Sequence, residues 1–257
     1  MDKKEFSRRH FLGLTAASLG SGILLPSMVA GRSATGQAGH FLNVNKGSTI
    51  LFQGDSITDA RRNREDSSPN SQSGLGGGYA LLAAGNLRYN LPAHDLQIYN
   101  KGISGNKVFE LADRWEEDCL QLKPDMVSIL VGVNDFWHTL NNTYKGSAEK
   151  YENDFRSLLD RTKEALPEVK LVIGEPFVIL EGSAITAEAW VPEFARYQAA
   201  ARRIARDYDA AFIPYQSVFD EASGDVPSVY WTADGVHPTI AGSNLMAHAW
   251  LDTVKNL

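Results

Sequence analysis

Met126-Val127-Ser128-Ile129-Leu130-Val131 is a run of six residues with a single hydroxyl, set between Lys123-Pro124-Asp125 and Gly132-Val133-Asn134-Asp135. So short a run, fenced by proline and glycine, is too brief for a core helix and has no polar face for water. It reads as a strand covered on both sides, which is where an inner strand of a parallel sheet sits. Working outward, comparable short apolar runs recur at 48–53, 96–100, 169–174 and 211–214. Longer amphipathic stretches separate them, and helices are expected over 78–91, 106–123, 147–166, 191–208 and 239–254. Within the second of these, Val108, Leu111, Trp115, Cys119 and Leu122 follow three- and four-residue spacing, one buried face. Strand and helix in alternation predict an α/β fold, a five-stranded parallel sheet with helices on both faces. No repeat or flexible linker breaks the pattern, so one domain is expected over 39–257.

Composition narrows the function classes. With 257 residues, 43% hydrophobic and 22% charged, the chain has ordinary globular usage and is not a disordered, collagenous or multi-span membrane protein. Lysine and arginine number 25 against 31 acidic residues, and a net charge of -6 argues against a general nucleic-acid binder. The single cysteine, Cys119, rules out an internal disulfide and reads as a buried small hydrophobe in a helix. No cysteine or histidine cluster has metal-ligand spacing, so neither a metal nor another cofactor is expected.

The first 38 residues read as a signal peptide and short leader rather than fold. Asp2-Lys3-Lys4-Glu5 leads to Arg8-Arg9-His10-Phe11-Leu12 and then to a weakly apolar Gly/Ala/Ser/Leu run. The Arg8-Arg9 pair before Phe11-Leu12 looks like a twin-arginine export signal, which predicts a periplasmic or extracellular protein. Gly13, Gly20, Gly22 and Pro26 make the run a poor membrane span, so no stable membrane insertion is expected. Cleavage after Ala30 and cleavage after Ala38 both remain open. A basic amphipathic first helix is the bland alternative.

One long polar stretch, 59–77, interrupts the alternation directly after the first strand. It is either a solvated insertion or a functional loop, since ligands in open α/β sheets sit beyond the carboxyl ends of the strands. Arg61, Arg62, Arg64 and its many hydroxyls suit hydrogen bonding to a glycan, and no apolar stretch near the motifs looks able to sheathe an alkyl chain.

Four short sequences lie at strand ends: Gly54-Asp55-Ser56-Ile57, Lys101-Gly102-Ile103-Ser104-Gly105-Asn106, Gly132-Val133-Asn134-Asp135 and Asp234-Gly235-Val236-His237-Pro238. Singly each is weak, because Asp, Asn and Ser also cap helices and turns. In order they offer the parts of an ester hydrolase: a nucleophile, a base, a group orienting that base, and oxyanion donors. Ser56 could present its hydroxyl, His237 take the proton and Asp234 fix the imidazole. The Ser56 and Gly102 amides and the Asn134 side chain could supply three donors. Asp135 and His138 repeat the dyad spacing and form a rival pair, with a rim contact the simpler role for His138. Trp137 and Trp231 flank the motifs, where packing and stacking on a sugar ring are both open readings.

This set of blocks resembles the SGNH (GDSL-like) hydrolase superfamily, over residues 48–257, with Ile57 where the family usually has leucine. The resemblance implies a three-layer α/β/α sandwich similar to flavodoxin. It also implies a Ser56-His237-Asp234 triad with Ser56, Gly102 and Asn134 lining the oxyanion hole. The stretches 100–106, 114–118 and 123–129 look like bacterial acetylxylan esterases, which implies an acetylated carbohydrate such as a xylan-derived oligosaccharide as substrate. Related esterases form oligomers, so a homo-oligomer is a further implication. A lysophospholipase or thioesterase with the same triad, and a non-catalytic glycan-binding protein, are the alternatives.

Overall fold

A computed structural model describes residues 44–257 apart from Glu181, Asp225 and Asn256. The expected export signal and both cleavage positions lie outside the described residues. The five expected strands form as β1 (Thr49–Gly54), β2 (Gln97–Asn100), β3 (Met126–Leu130), β4 (Lys170–Gly174) and β5 (Ala211–Ile213). All pair in parallel, in the order β2-β1-β3-β4-β5. β3 is buried at every residue, as its apolar sequence requires.

Register explains the two helical layers. Phe52 of β1 lies beside Ser128 of β3, so both side chains leave the same face. There the Phe52 ring meets Tyr79 and Trp250, and the Trp250 indole N–H donates to Ser128 Oγ at 2.9 Å. Helices Tyr79–Asn90 and Ile240–Val254 cover this side and pack on one another. Gln53 points the opposite way, and its amide reaches the Asp118 carbonyl at 3.1 Å. Trp115, close by, donates to Thr162 Oγ1 at 2.9 Å and so ties on helix Ala148–Ala165, against which Glu193–Asp207 packs.

Three sequence expectations change. The single helix expected over 106–123 is instead Val108–Asp113, Trp115–Asp118 and a 3-10 turn at Leu120–Leu122. The break falls at Arg114, whose backbone leaves the helical region (φ -110°, ψ 8°). Its guanidinium there binds Lys101 O, Asn106 Oδ1 and Asp118 Oδ2. Cys119 therefore sits in a turn rather than in a helix, still fully buried, and burial pushes its thiol up to about 12. Secondly, helices Val133–Leu140 and Tyr215–Ala222 follow β3 and β5, in addition to the helices expected. Thirdly, the stretch 59–77 is not solvated throughout: Asp59, Arg62, Gly74 and Leu75 are buried and Gln72–Leu75 forms a turn of helix capped by Ser71, while 63–65 and 67–68 are exposed.

The strand order fixes where a site can form. The chain leaves β1 for β2 on one side, then crosses back over β1 to reach β3. The loops after β1 and β3 thus depart in opposite directions and leave a crevice at the carboxyl ends of these two strands. At that point β1 ends on Gly54 with φ +153°, where a Cβ would stand 2.2 Å from the Leu130 carbonyl oxygen. Only glycine permits this approach, and it turns the next two residues into the crevice.

Candidate active site

Asp55 caps the short helix Ser56–Asp59 by accepting from the Ile57 N–H at 3.0 Å. Ser56 is therefore the first residue of that helix, at the carboxyl end of β1. Its own amide belongs to the first turn and has no intrahelical acceptor. On the far side of the crevice, Asp234 Oδ1 accepts from the Val236 and His237 amides at 2.9 and 2.8 Å. This turn leaves Oδ2 for His237 Nδ1, 2.7 Å away, and places His237 Nε2 2.9 Å from Ser56 Oγ. With the Nδ1 proton on the carboxylate side, Nε2 is free to accept from the serine hydroxyl. Burial works to raise the Asp234 carboxyl, yet the His237 amide and ring and the Val236 amide outweigh it and hold it below its ordinary value. A charged Asp234 at the rear of the imidazole is what stabilises the imidazolium formed when His237 takes a proton.

Asn134 stands in the first turn of Val133–Leu140, beyond β3, and is 5% exposed. Its Nδ2 donates one proton to the Asn106 carbonyl at 3.3 Å, which leaves the second N–H of that amide. The structure thus brings Ser56, His237 and Asp234 together and places Asn134 in the first turn of the helix that follows β3.

Gly102 does not fit the donor role expected of it. Its N–H is spent on Asn100 Oδ1 at 2.9 Å, and its Cα is wedged so that a Cβ would lie 2.5 Å from Asp59 N. The rest of the loop can be accounted for in the same way. Lys101 N–H goes to Phe52 O, Ile103 N–H to Gly54 O, and Asn106 N–H to Ile103 O. Ser104 N–H goes to Asp59 Oδ2. Gly105, in the left-handed region at φ +86°, is the residue of 101–106 whose amide has no acceptor among the described residues. Sequence reasoning missed it because both glycines share one turn, and spacing cannot say whose N–H is left over.

The rival dyad is not assembled. Asp135 is 1% exposed and accepts from the Val108 amide at 3.2 Å, not from His138. His138 Nδ1 instead lies 3.3 Å from Lys107 Nζ, and burial followed by the Lys107 charge lowers its pKa. Asp55 and Asp135 are both enclosed, and burial raises each carboxyl to about 7. One oxygen of each has no hydrogen-bond partner among the described residues.

Ser56 and His237 open onto a cleft of about 580 Å³, lined also by Arg61, Ser104 and Ile240. Of the three arginines read as glycan contacts, only Arg61 faces it. Arg62 is buried with Nε on the Gly102 carbonyl at 2.8 Å, and Arg64 is paired with Asp59. Trp137 packs on Trp190 and stands with its ring 6.4 Å from that of His237, so it serves the core and borders the base. Trp231 lines a neighbouring hollow of about 720 Å³ with Leu82, Tyr230, Ile240 and Leu245. That hollow sets apolar surface beside the motifs, where no apolar stretch able to sheathe an alkyl chain was expected; Ile240, 84% exposed, is the ridge shared with the cleft. Among the described residues no group of three or more His, Cys, Asp or Glu could hold a metal, and no helix is long and apolar enough to cross a membrane.

Residues 52–245 match the GDSL-like Lipase/Acylhydrolase family. An acetylxylan esterase of Geobacillus stearothermophilus is 34% identical over 215 residues, 82% of this chain and 95% of the relative. Among solved structures, a protein assigned as a GDSL-like lipase from Parabacteroides merdae is 47% identical, covers 83% of this chain and 98% of its own, and superposes with a TM-score of 0.82. A variant of an acetyl-xylooligosaccharide esterase from Geobacillus follows at 32% identity, 83% and 96% coverage and a TM-score of 0.74. The chain belongs to the GDSL-like lipase/acylhydrolase family and is a carboxylic ester hydrolase.

Proposed function

We propose that this GDSL-like acylhydrolase is a serine esterase that removes short acyl groups, acetyl above all, from carbohydrates such as xylan-derived oligosaccharides. The observation that carries the chemistry is the continuous hydrogen-bonded series from Ser56 Oγ through His237 to Asp234. In this reading Ser56 Oγ attacks the ester carbonyl while His237 Nε2 takes its proton. The same imidazolium then protonates the departing sugar oxygen as its bond to the acyl carbon breaks, releasing the hydroxyl, and water repeats the sequence on the acyl-enzyme. The negative oxygen that forms in each half is met by the Ser56 N–H and the Asn134 amide. In place of Gly102, the Gly105 N–H is the third donor.

The substrate class rests on the acetylxylan esterase relative, which spans nearly the whole length of the domain. The apolar hollow across Ile240 favours a second reading, a long-chain acyl hydrolase, because each methylene buried there would add about 0.8 kcal/mol. The deciding measurement is kcat/KM for aryl esters from acetyl to decanoyl, beside acetate release from acetylated xylo-oligosaccharides. A steep drop beyond butyryl with acetate released supports the carbohydrate esterase; a rate that climbs with chain length and no acetate released overturns it. Export by the twin-arginine route belongs to the same proposal. Replacing Arg8 and Arg9 together with lysine is expected to leave the protein in the cytoplasm, and normal export of that variant excludes the route.

A further inference from the structure

We propose that the Asp59 carboxylate positions the oxyanion loop for catalysis, by tying Ser104, from which the Gly105 peptide departs, to the turn that carries Ser56. The inference rests on the reading of Ser56 as nucleophile and adds to it a residue that touches no substrate.

Asp59 lies three residues after Ser56 in the same helical turn and is 2% exposed. Its Oδ2 accepts from both the amide and the hydroxyl of Ser104, each at 2.8 Å. Its Oδ1 accepts from the Arg62 N–H at 3.2 Å. Arg64, half exposed, closes on the same carboxylate from outside. Gly102 has no side chain where its Cα meets the Asp59 backbone, so the loop can approach this closely. One carboxylate therefore spans from the nucleophile turn to the residue immediately before Gly105. The direction of the Gly105 N–H is set by the Ser104–Gly105 peptide plane, and glycine adds no side chain to hold that plane itself. The two hydrogen bonds at Ser104 fix the preceding peptide and the Ser104 side chain, and with them the Cα from which that plane departs.

The carboxylate is suited to this as an ion. Burial alone would raise its pKa, but the Arg64 hydrogen bond and the two from Ser104 prevail and hold it below the ordinary carboxylate value. Asparagine of the same shape would turn its N–H₂ either toward Ser104 and Arg64, which share Oδ2, or toward the Arg62 amide at Oδ1, a donor facing a donor in each case and without the charge that holds Arg64. A carboxylate that merely supported the fold would reveal itself in stability; one that positions an oxyanion donor alters transition-state binding at nearly constant ground-state binding.

The test compares Asp59→Asn and Ser104→Ala with wild type in the full chain, on 4-nitrophenyl acetate, with phenylboronic acid as a tetrahedral analogue and a thermal midpoint for each. Asp59→Asn is expected to lower kcat roughly a hundredfold, the scale of one oxyanion donor, with KM within about threefold. Boronate affinity should weaken by about the same factor as kcat. Ser104→Ala removes one of the two bonds and should lower kcat and boronate affinity together, by roughly three- to tenfold, with an unchanged midpoint. A kcat for Asp59→Asn near that of wild type, a rise in KM alone, or a fall in kcat without weaker boronate binding overturns the proposal. Should Asp59→Asn fail to fold, unchanged kcat and boronate affinity in Ser104→Ala overturn it equally. A wild-type chain inert toward every aryl ester would remove the nucleophile reading, and this inference with it.

Discussion

Asp135→Asn tests the buried carboxyl beneath the site through stability rather than activity. Asp135 is enclosed, and burial lifts its carboxyl from 3.8 to about 7. The folded chain therefore keeps a proton that the unfolded chain loses above pH 4. Because the folded value is the higher one, stability is full below the unfolded value and is lost as pH rises, levelling off once the folded group also ionises. A rise of about three units is on the order of 4 kcal/mol in full, of which about 2.5 kcal/mol falls between pH 5 and pH 8. Asparagine has no such proton to lose. It keeps an oxygen to accept from the Val108 amide, as Asp135 does at 3.2 Å. Its N–H₂ occupies the place of the partnerless Asp135 Oδ2, where the protonated acid also presents a donor, so that cost cancels in the comparison. Asp55, also raised to about 7, titrates in the same range, so the informative quantity is the variant-minus-wild-type difference at each pH. Urea unfolding at 25 °C should show that difference moving in favour of asparagine by about 2.5 kcal/mol from pH 5 to pH 8. A difference that stays constant across this range would falsify a proton-bearing Asp135.

His237→Ala should remove nearly all turnover while His138→Ala, whose imidazole faces Lys107, keeps most of it; steady-state rates that reverse this order would make Asp135 and His138 the working pair. Asn134→Ala should reduce kcat by about a hundredfold with a smaller effect on KM, and an effect confined to KM would make Asn134 a ground-state contact. Gly102→Ala and Gly105→Ala should separate cleanly in paired melting and kinetic measurements. The first places a Cβ 2.5 Å from Asp59 N and should cost mainly stability, whereas the second meets open space but strains a left-handed backbone (φ +86°), so it should show the smaller melting loss and the larger kcat loss. A kcat loss seen only in Gly102→Ala would return the donor role to that residue.

The sheet was legible because its three inner strands, β1, β3 and β4, are buried on both faces. Each of the five runs is apolar enough to stand out from its surroundings, and β3, with one hydroxyl, is the clearest. Even that hydroxyl has a reason that lies far away in sequence, since Ser128 accepts from Trp250. Helices were legible in proportion to their length. Ala148–Ala165 and Glu193–Asp207 present several turns of regular apolar spacing, whereas Val133–Leu140 and Tyr215–Ala222 last barely two turns. The break at Arg114 could not be read at all. The apolar spacing passes through it undisturbed, because Val108, Leu111, Trp115 and Cys119 stay buried on either side, and the partners that hold Arg114 out of helix lie on a different loop.

The site divides along the same line. Asp234 and His237 are three residues apart in one turn, so their contact is nearly local and the sequence announces it. Ser56 and Asn134 begin helices after β1 and β3, and strand order alone brings them to a common crevice. The choice between Gly102 and Gly105 is of another kind. It depends on Asn100 Oδ1 capturing one amide, on Asp59 capturing Ser104, and on no acceptor among the described residues capturing the amide between Ser104 and Asn106. Those captures link β2, the 101–106 loop and the Ser56–Asp59 turn, and a one-residue change in which amide is captured would leave the motif unaltered while moving the donor. The sequence marks Asp59 only as the start of a polar stretch; its role follows from the Ser104 bonds, which span 45 positions of chain. A residue that acts by holding another is visible only once both ends of the contact are known.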